Sequence, residues 1–211
     1  MRFLMRKIRS KEPKFDGIHG HKLLLDYLVS QKNLKLGLLV EIGSTREDIQ
    51  GQGSTKEFAE FTKRHGIKFI SVDMDELQTK KAQDAFKNIG GECLAINAKG
   101  EDFIRTYPGD ISAIYLDAFD YDHGNHSQER KERYSQILNL SITNANSAQM
   151  HLECAKSIVD RGEVEIIAID DTWRNMGMYL GKGAKAVPFL LSNSYSIVSK
   201  SNMALILKRI S

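Results

Sequence analysis

Three aspartates, Asp117, Asp170 and Asp171, carry the sharpest chemical suggestion in this 211-residue sequence. Each follows a short apolar run, Ile111 to Leu116 before Asp117 and Val164 to Ile169 before Asp170-Asp171. If the two runs are neighbouring strands, their ends lie about 5 Å apart. Three carboxylates that close repel one another, and at least one is driven toward its protonated form. A divalent cation with hard oxygen ligands removes the conflict. Magnesium takes one or two carboxylates and fills its octahedron with water and substrate. Such an ion would hold a substrate hydroxyl and lower its pKa. The competing reading is that Asp170 or Asp171 bends the chain into the next loop. Adjacent strand residues face opposite sides, so both reach one ion only if the strand has already turned. An imidazole is the natural base for the hydroxyl proton. His123 and His126 stand a few residues past Asp117 and are equivalent candidates, whereas His151 reads as a packing or surface residue.

The elements that must bring these side chains together follow from the apolar pattern. Leu36 to Ile42, ending in Gly43, reads as a buried strand. Ser54-Thr55-Lys56-Glu57 has the form of a capping box opening a helix that ends near Gly66. Ile67 to Val72 is a second strand closed by Asp73. Ala82, Ala85, Phe86 and Ile89 are the apolar stripe of the following helix, which stops at Gly90-Gly91. Cys93 to Ile96 is a third strand, and the runs before Asp117 and Asp170 are the fourth and fifth. Helices are expected around Ala148 to Arg161 and Gly181 to Leu191. Ser196 to Ser199 and Met203 to Leu207 are joined by too short a link for a crossover helix, so they pair antiparallel. This order predicts an α/β fold, a doubly wound Rossmann-like parallel sheet with a C-terminal antiparallel hairpin and helices on both faces. Ligands in such sheets bind beyond the carboxyl ends of the strands. Gly43, Asp73, Asp117 and Asp170-Asp171 all fall there. Residues 1–35 read as a basic N-terminal segment and helix, and 36–211 as the ligand-binding domain.

Composition narrows the class. Apolar residues make up 41% and charged residues 27%, and the net charge of +3 is too small to argue for nucleic acid. Arg2, Arg6, Lys7, Arg9, Lys11 and Lys14 crowd the start; they form either a solvated terminus or an arm for phosphates or anionic lipid. Phe3 to Met5 is too short for the apolar region of a signal peptide, and no run reaches the length of a membrane helix. A cytoplasmic location is the expectation. Cys93 and Cys154 lack a CxxC partner and read as small buried hydrophobes.

On Val40-Glu41-Ile42-Gly43, Val72-Asp73, Ile114-Tyr115-Leu116-Asp117 and Ile169-Asp170-Asp171, with the closing hairpin, the chain resembles the class I S-adenosylmethionine-dependent methyltransferases. The acidic spacing is most similar to the cation-dependent O-methyltransferases, among them the macrocin-type sugar enzymes. The resemblance implies S-adenosyl-L-methionine and Mg2+ as cofactors. It places Glu41, Gly43 and Ser44 under the methionine part, Asp73 on the ribose hydroxyls, and Asn97 and Ala98 at the adenine. Asp117, Asp170 and Asp171 would hold the metal, with His123 or His126 as base. A carboxylate suits a vicinal diol because each oxygen can take one donor. Alternatives stand beside these roles. Glu41 could cap the next loop, Asp75 competes with Asp73 and could be a helix N-cap, and Lys99, Glu101 and Asp102 form an adjoining polar turn. Glu41-Ile42-Gly43-Ser44-Thr45-Arg46 keeps only the first glycine of the usual motif.

The implied activity is methyl transfer to a small hydroxylated acceptor, a sugar or a catechol-like ring. Trp173 would either stack on that acceptor or anchor its loop. Arg46 and Arg174 would meet an anionic group or solvent. The helix expected over Ile18 to Val29 would cover the site or join a second subunit in a homodimer. Two rival readings are a nicotinamide-dinucleotide protein, opposed by the missing GxGxxG and the closing hairpin, and a binding protein without catalysis.

Overall fold

A computed structural model describes residues 18–31, 35–45, 53–124 and 126–210. The basic run Arg2 to Lys14 and Arg46 lie outside them. The chain runs through α1 (Gly20–Ser30), β1 (Leu38–Ile42), α2 (Ser54–His65), β2 (Lys68–Asp73), α3 (Glu76–Ile89) and β3 (Cys93–Asn97). It continues through α4 (Gly100–Thr106), β4 (Ala113–Leu116), α5 (Gln128–Leu138), α6 (Asn144–Arg161) and β5 (Ile166–Ile169). It closes with β6 (Thr172–Asn175), β7 (Met178–Gly181), α7 (Gly183–Leu191), β8 (Tyr195–Lys200) and β9 (Leu205–Arg209).

Seven strands form one sheet in the order β3-β2-β1-β4-β5-β9-β8. The first five are parallel, and β9 pairs antiparallel with both β5 and β8. The central strands are apolar almost throughout because helices cover both of their faces. Period-2 alternation divides the side chains. Val40, Ile42, Ile114 and Leu116 pack with Ile104, Ile158 and Leu190 of α4, α6 and α7. Leu39, Phe69, Tyr115 and Ile206 face Leu24, Phe58 and Phe86 of α1, α2 and α3. The leucines of α1 therefore belong to the core of the sheet domain. Cys154 is buried and Cys93 partly so, and both are free. Among the described residues no helix is long and apolar enough to cross a membrane.

Four local features differ from the sequence pattern. The expected capping box does not form. Gly53 is the N-cap of α2 and offers no side-chain bond, while Ser54 and Thr55 turn their hydroxyls to the buried Glu41 carboxylate. An unsatisfied buried carboxylate costs more than an uncapped helix start, so it takes the donors. Helix α4 replaces a stretch that reads as a polar turn, and α5 forms in a run without a continuous apolar stripe. The fourth feature is the two-stranded sheet β6–β7, whose turn places Met176 at φ 47° and Gly177 at φ 84°.

Candidate active site

The site is built where strands β1, β2, β4 and β5 end. Gly43 follows β1 with φ 97°, and a Cβ there would fall on the Asp117 carbonyl oxygen. Glycine is required because the loops after β1 and β4 meet backbone to backbone. On one side of this contact lies a cleft of about 270 Å³ lined by Gly43, Asp73, Asp75 and Ala98, with α5 on the far wall through Arg133 and Tyr134. On the other lies a polar cavity of about 260 Å³. Arg130 lines both.

In the cleft, the Asp73 carboxylate accepts from the Ser44 N–H at 2.9 Å and from the Asp75 N–H at 2.8 Å. It thereby ties the loop after β1 to the end of β2. Asp75 is the N-cap of α3, accepting from the Leu77 N–H at 2.9 Å. It also receives the Arg133 guanidinium in a two-point pair, with Nε at 2.9 Å and a second, shorter bond from Nη2. That pair fastens α5 across the cleft. Ala98 lines the cleft, but Asn97 does not. The Asn97 amide donates to the Asp73 carbonyl at 3.0 Å and braces the edge of the sheet.

Glu41, expected either under the methionine part of the cofactor or as a cap of the next loop, takes the second place. Glu41 lines neither cavity and is fully buried on the α2 face. Its carboxylate accepts from Ser54 Oγ at 2.6 Å, Ser71 Oγ at 2.6 Å and Thr55 Oγ1 at 2.7 Å. Strand alternation causes this, because Glu41 shares its face with Leu39 and is in register with Ser71 and Tyr115. Burial raises its pKa to about 7, against the pull of the three hydroxyls. Ser44 lines the polar cavity rather than the cleft, and its Oγ meets Ser71 Oγ at 2.8 Å.

In the polar cavity the three aspartates share a rim but not a ligand. Asp117 and Asp170 follow Leu116 and Ile169, which are in register, as neighbouring strands require. Asp170 is engaged by partners of its own. Its Oδ1 accepts from the Gly20 N–H at 3.1 Å, the positive end of α1. Its Oδ2 accepts from the Tyr115 hydroxyl at 2.6 Å. Asp171 adopts φ 42°, so the chain has indeed turned. Between Asp117 and Asp171 lies the Lys182 ammonium, paired with Asp117 Oδ1 and 3.0 Å from Asp171 Oδ2. Burial acts to lower the lysine pKa, but the surrounding carboxylates, Asp117 foremost, lift it well above its ordinary value. Burial raises the Asp117 carboxyl, Asp170 and Asp171 add to that, and Lys182 opposes it.

The expected magnesium site of Asp117, Asp170 and Asp171 is thereby corrected. One carboxylate is spent on a helix terminus and a phenol, and the other two already hold a cation of the protein's own. Among the described residues no group of three or more His, Cys, Asp or Glu side chains is arranged for a metal ion. The residues present do not fit a divalent ion.

The two histidines separate. The ring of His126 is buried, and its Nε2 lies 2.9 Å from the Tyr121 carbonyl. A carbonyl can only accept, so Nε2 carries the hydrogen and Nδ1 of the neutral ring is a lone pair. That Nδ1 has no protein partner among the described residues, and His126 lines the polar cavity. His123 is exposed and lies against His126 with ring centroids 4.2 Å apart. His151 is fully buried in α6, and burial drives its pKa down to about 3. Trp173 packs edge to face on Tyr121, and Arg174 lies over the Tyr179 ring.

Sequence reasoning missed Lys182, Tyr115, Arg130 and Arg133. Tyr115 reads as one more apolar strand residue, and the two arginines as solvated charges. Lys182 stands eleven residues past Asp171 and reaches it only because β6–β7 folds back. Gly181 (φ 77°) makes that return, and a Cβ there would collide with the Asp171 carbonyl.

No family model and no curated protein matches the sequence. Solved structures do. An SAH-bound methyltransferase from Podospora anserina superposes with a TM-score of 0.56 at 14% identity, covering 90% of this chain and 78% of that one. An rRNA methylase from Streptococcus thermophilus gives 0.51 at 14% identity, over 91% and 95% of the two chains. A precorrin-6y C5,15-methyltransferase from Geobacter metallireducens gives 0.52 at 10% identity, over 89% and 88%. At such identities the likeness establishes architecture: this chain has the Rossmann-like fold of these methyltransferases.

Proposed function

We propose that this protein is an S-adenosylmethionine-dependent methyltransferase acting on a hydroxyl of a small acceptor. The observation that carries this is the juxtaposition of two cavities across the Gly43–Asp117 backbone contact. One is shaped for a nucleoside, and the other is lined by groups that handle a hydroxyl proton.

The cleft fits the cofactor. Asp73 and Asp75 sit at the end of β2, where a ribose diol needs acceptors. Each Asp73 oxygen takes one backbone N–H, and a carboxylate oxygen can accept from more than one donor. Ala98, Leu77 and Ile42 give the apolar wall an adenine ring requires. When bound, S-adenosylmethionine supplies an electrophilic sulfonium methyl; the acceptor oxygen forms the new C–O bond while the C–S electron pair stays on sulfur.

His126 is the base in this reading. Its Nδ1 lone pair takes the acceptor proton, and the Tyr121 carbonyl steadies the charge formed on the ring. Asp117, Asp120, Asp170 and Asp171 line the same cavity against Lys182 and Arg130. That excess of carboxylate repels a phosphodiester chain, which favours a neutral hydroxylated acceptor over RNA.

The test is calorimetry of the full chain with S-adenosylmethionine, its demethylated product and NADH, then label transfer from methyl-labelled cofactor to a panel of sugars and catechols. Cofactor binding and labelling of a small hydroxyl compound are expected. His126→Asn should lower the rate roughly 10²–10⁴-fold with the cofactor Kd unchanged, and His123→Asn much less. Binding of NADH alone overturns the methyltransferase reading, and label found only in RNA overturns the small acceptor.

A further inference from the structure

The rim that reads in the sequence as a metal site already contains a cation. The Lys182 side chain is 3% exposed and its Nζ is bracketed by Asp117 and Asp171. It is held there by more than those two pairs. The Lys182 N–H donates to the Asp171 carbonyl at 2.9 Å. The next N–H, of Gly183, donates to Thr172 Oγ1 at 2.8 Å, and Thr172 Oγ1 itself donates to the Asp170 carbonyl. The lysine backbone is thus stitched to the same strand end as its carboxylate partners. An ammonium has three N–H donors. One is directed to Asp117, the Asp171 carboxylate stands 3.0 Å away as an ion-pair partner, and Lys182 lines the polar cavity with donor capacity beyond these two carboxylates.

We propose that Lys182 is a resident cation that takes the place of a divalent metal, holding the acceptor oxygen through its third N–H and making the reaction independent of metal ions. The role in turnover rests on the methyl-transfer reading above; the occupation of a cation site does not. A divalent ion would have to displace a buried ammonium that its carboxylates stabilise, and Asp170, with both oxygens engaged by Gly20 and Tyr115, is not free to assist. During transfer the acceptor hydroxyl loses its proton to His126. The oxygen then bears developing negative charge, which a fixed N–H donor in a low-dielectric pocket stabilises without reorganisation.

Two measurements on the full chain decide it. In the first, Mn2+ binding is followed by electron paramagnetic resonance and by thermal melting. The wild type should leave added Mn2+ in its free aqueous form and melt at the same temperature with or without it. Lys182→Ala, which opens a gap between two partly exposed carboxylates, should bind Mn2+ and melt higher in its presence. A bound-Mn2+ signal in the wild type that Asp171→Asn abolishes overturns the proposal, as does a folded Lys182→Ala variant indifferent to Mn2+. If that variant does not fold, the wild-type spectrum alone decides.

The second measurement is turnover. Wild-type rate should be unchanged by EDTA. Lys182→Met should lose roughly 10²–10³-fold in kcat, the usual effect of removing an oxyanion donor, with the cofactor Kd within about twofold. A rate abolished by EDTA and restored by Mg2+ overturns the proposal. Failure of the wild type to bind S-adenosylmethionine would sink the methyltransferase reading and leave the Mn2+ result standing.

Discussion

Replacing Glu41 by glutamine should flatten the dependence of stability on pH. The carboxylate is fully buried, and burial lifts its pKa from 4.5 to about 7. A folded-state value above the unfolded one means the fold keeps a proton that the unfolded chain releases. Stability is therefore fully present below the unfolded pKa of 4.5 and declines as pH rises through the window up to about 7, beyond which the loss is constant. At about 1.4 kcal/mol per pKa unit, the loss between about pH 5 and about pH 8 is roughly 2–3 kcal/mol. For a chain of this length that is a Tm change of about 5–10 °C. Glutamine cannot ionise, and it satisfies the same pocket if one of the three hydroxyls turns from donor to acceptor. The assay is circular-dichroism melting of wild type and Glu41→Gln at the two pH values. The difference between the proteins isolates this residue from every other titrating group. Glu41→Gln should gain on the wild type by about 5–10 °C between the lower and the higher pH. Parallel curves would show that Glu41 is ionised in the fold at both, and the account of its burial would be wrong.

Gly43→Ala should cost at least about 1–3 kcal/mol in urea unfolding from its φ of 97° alone, and weaken cofactor binding by moving the loop off Asp117; unchanged unfolding would refute the close approach. Arg133→Ala removes the two-point pair to Asp75 and should cost on the order of 1 kcal/mol after solvent screening. Amide exchange should quicken along α5, and an α5 as protected as before would show that something else fastens it. Gly181→Ala displaces the return of β7 toward Asp171 and should lower turnover with little change in cofactor affinity; an equal effect on both would place the hairpin on the cofactor side.

The sheet was legible in the sequence because its central strands are covered on both faces and run apolar without interruption. Their acidic and glycine ends mark the ligand edge by topology alone. The orientation of individual side chains was not legible. Asp117, Asp170 and Asp171 come to one rim as expected, but whether they converge depends on which partner each finds. The partners of Asp170 are a helix terminus 150 residues earlier and a tyrosine of the neighbouring strand. Glu41 shows the same limit. Its position at a strand end suggested the cofactor, and alternation along the strand put it beneath the sheet instead. The β6–β7 hairpin was hidden because Met176 stands at a left-handed position where asparagine, aspartate or glycine usually announces such a turn. The helix α5 was hidden because only its last turn and Tyr134 carry apolar surface.

The placement of α1 has a consequence for how the chain assembles. Its Gly20 amide meets Asp170, and the Ile18 carbonyl accepts from Ser201 Oγ across 183 residues. His19 and His21 at its start also wall the polar cavity. Leu23, Leu24 and Leu28 of this helix share a core with Leu39 of β1, Phe58 of α2, Tyr115 of β4 and Ile206 of β9, so their burial is complete only once the late strand β9 has joined. Such long-range closure is slow and exposes apolar surface to aggregation. The cleft is lined by residues lying between Ile42 and Met150, whereas the second chamber closes only when the start of α1 meets the chain around Asp170 and Ser201.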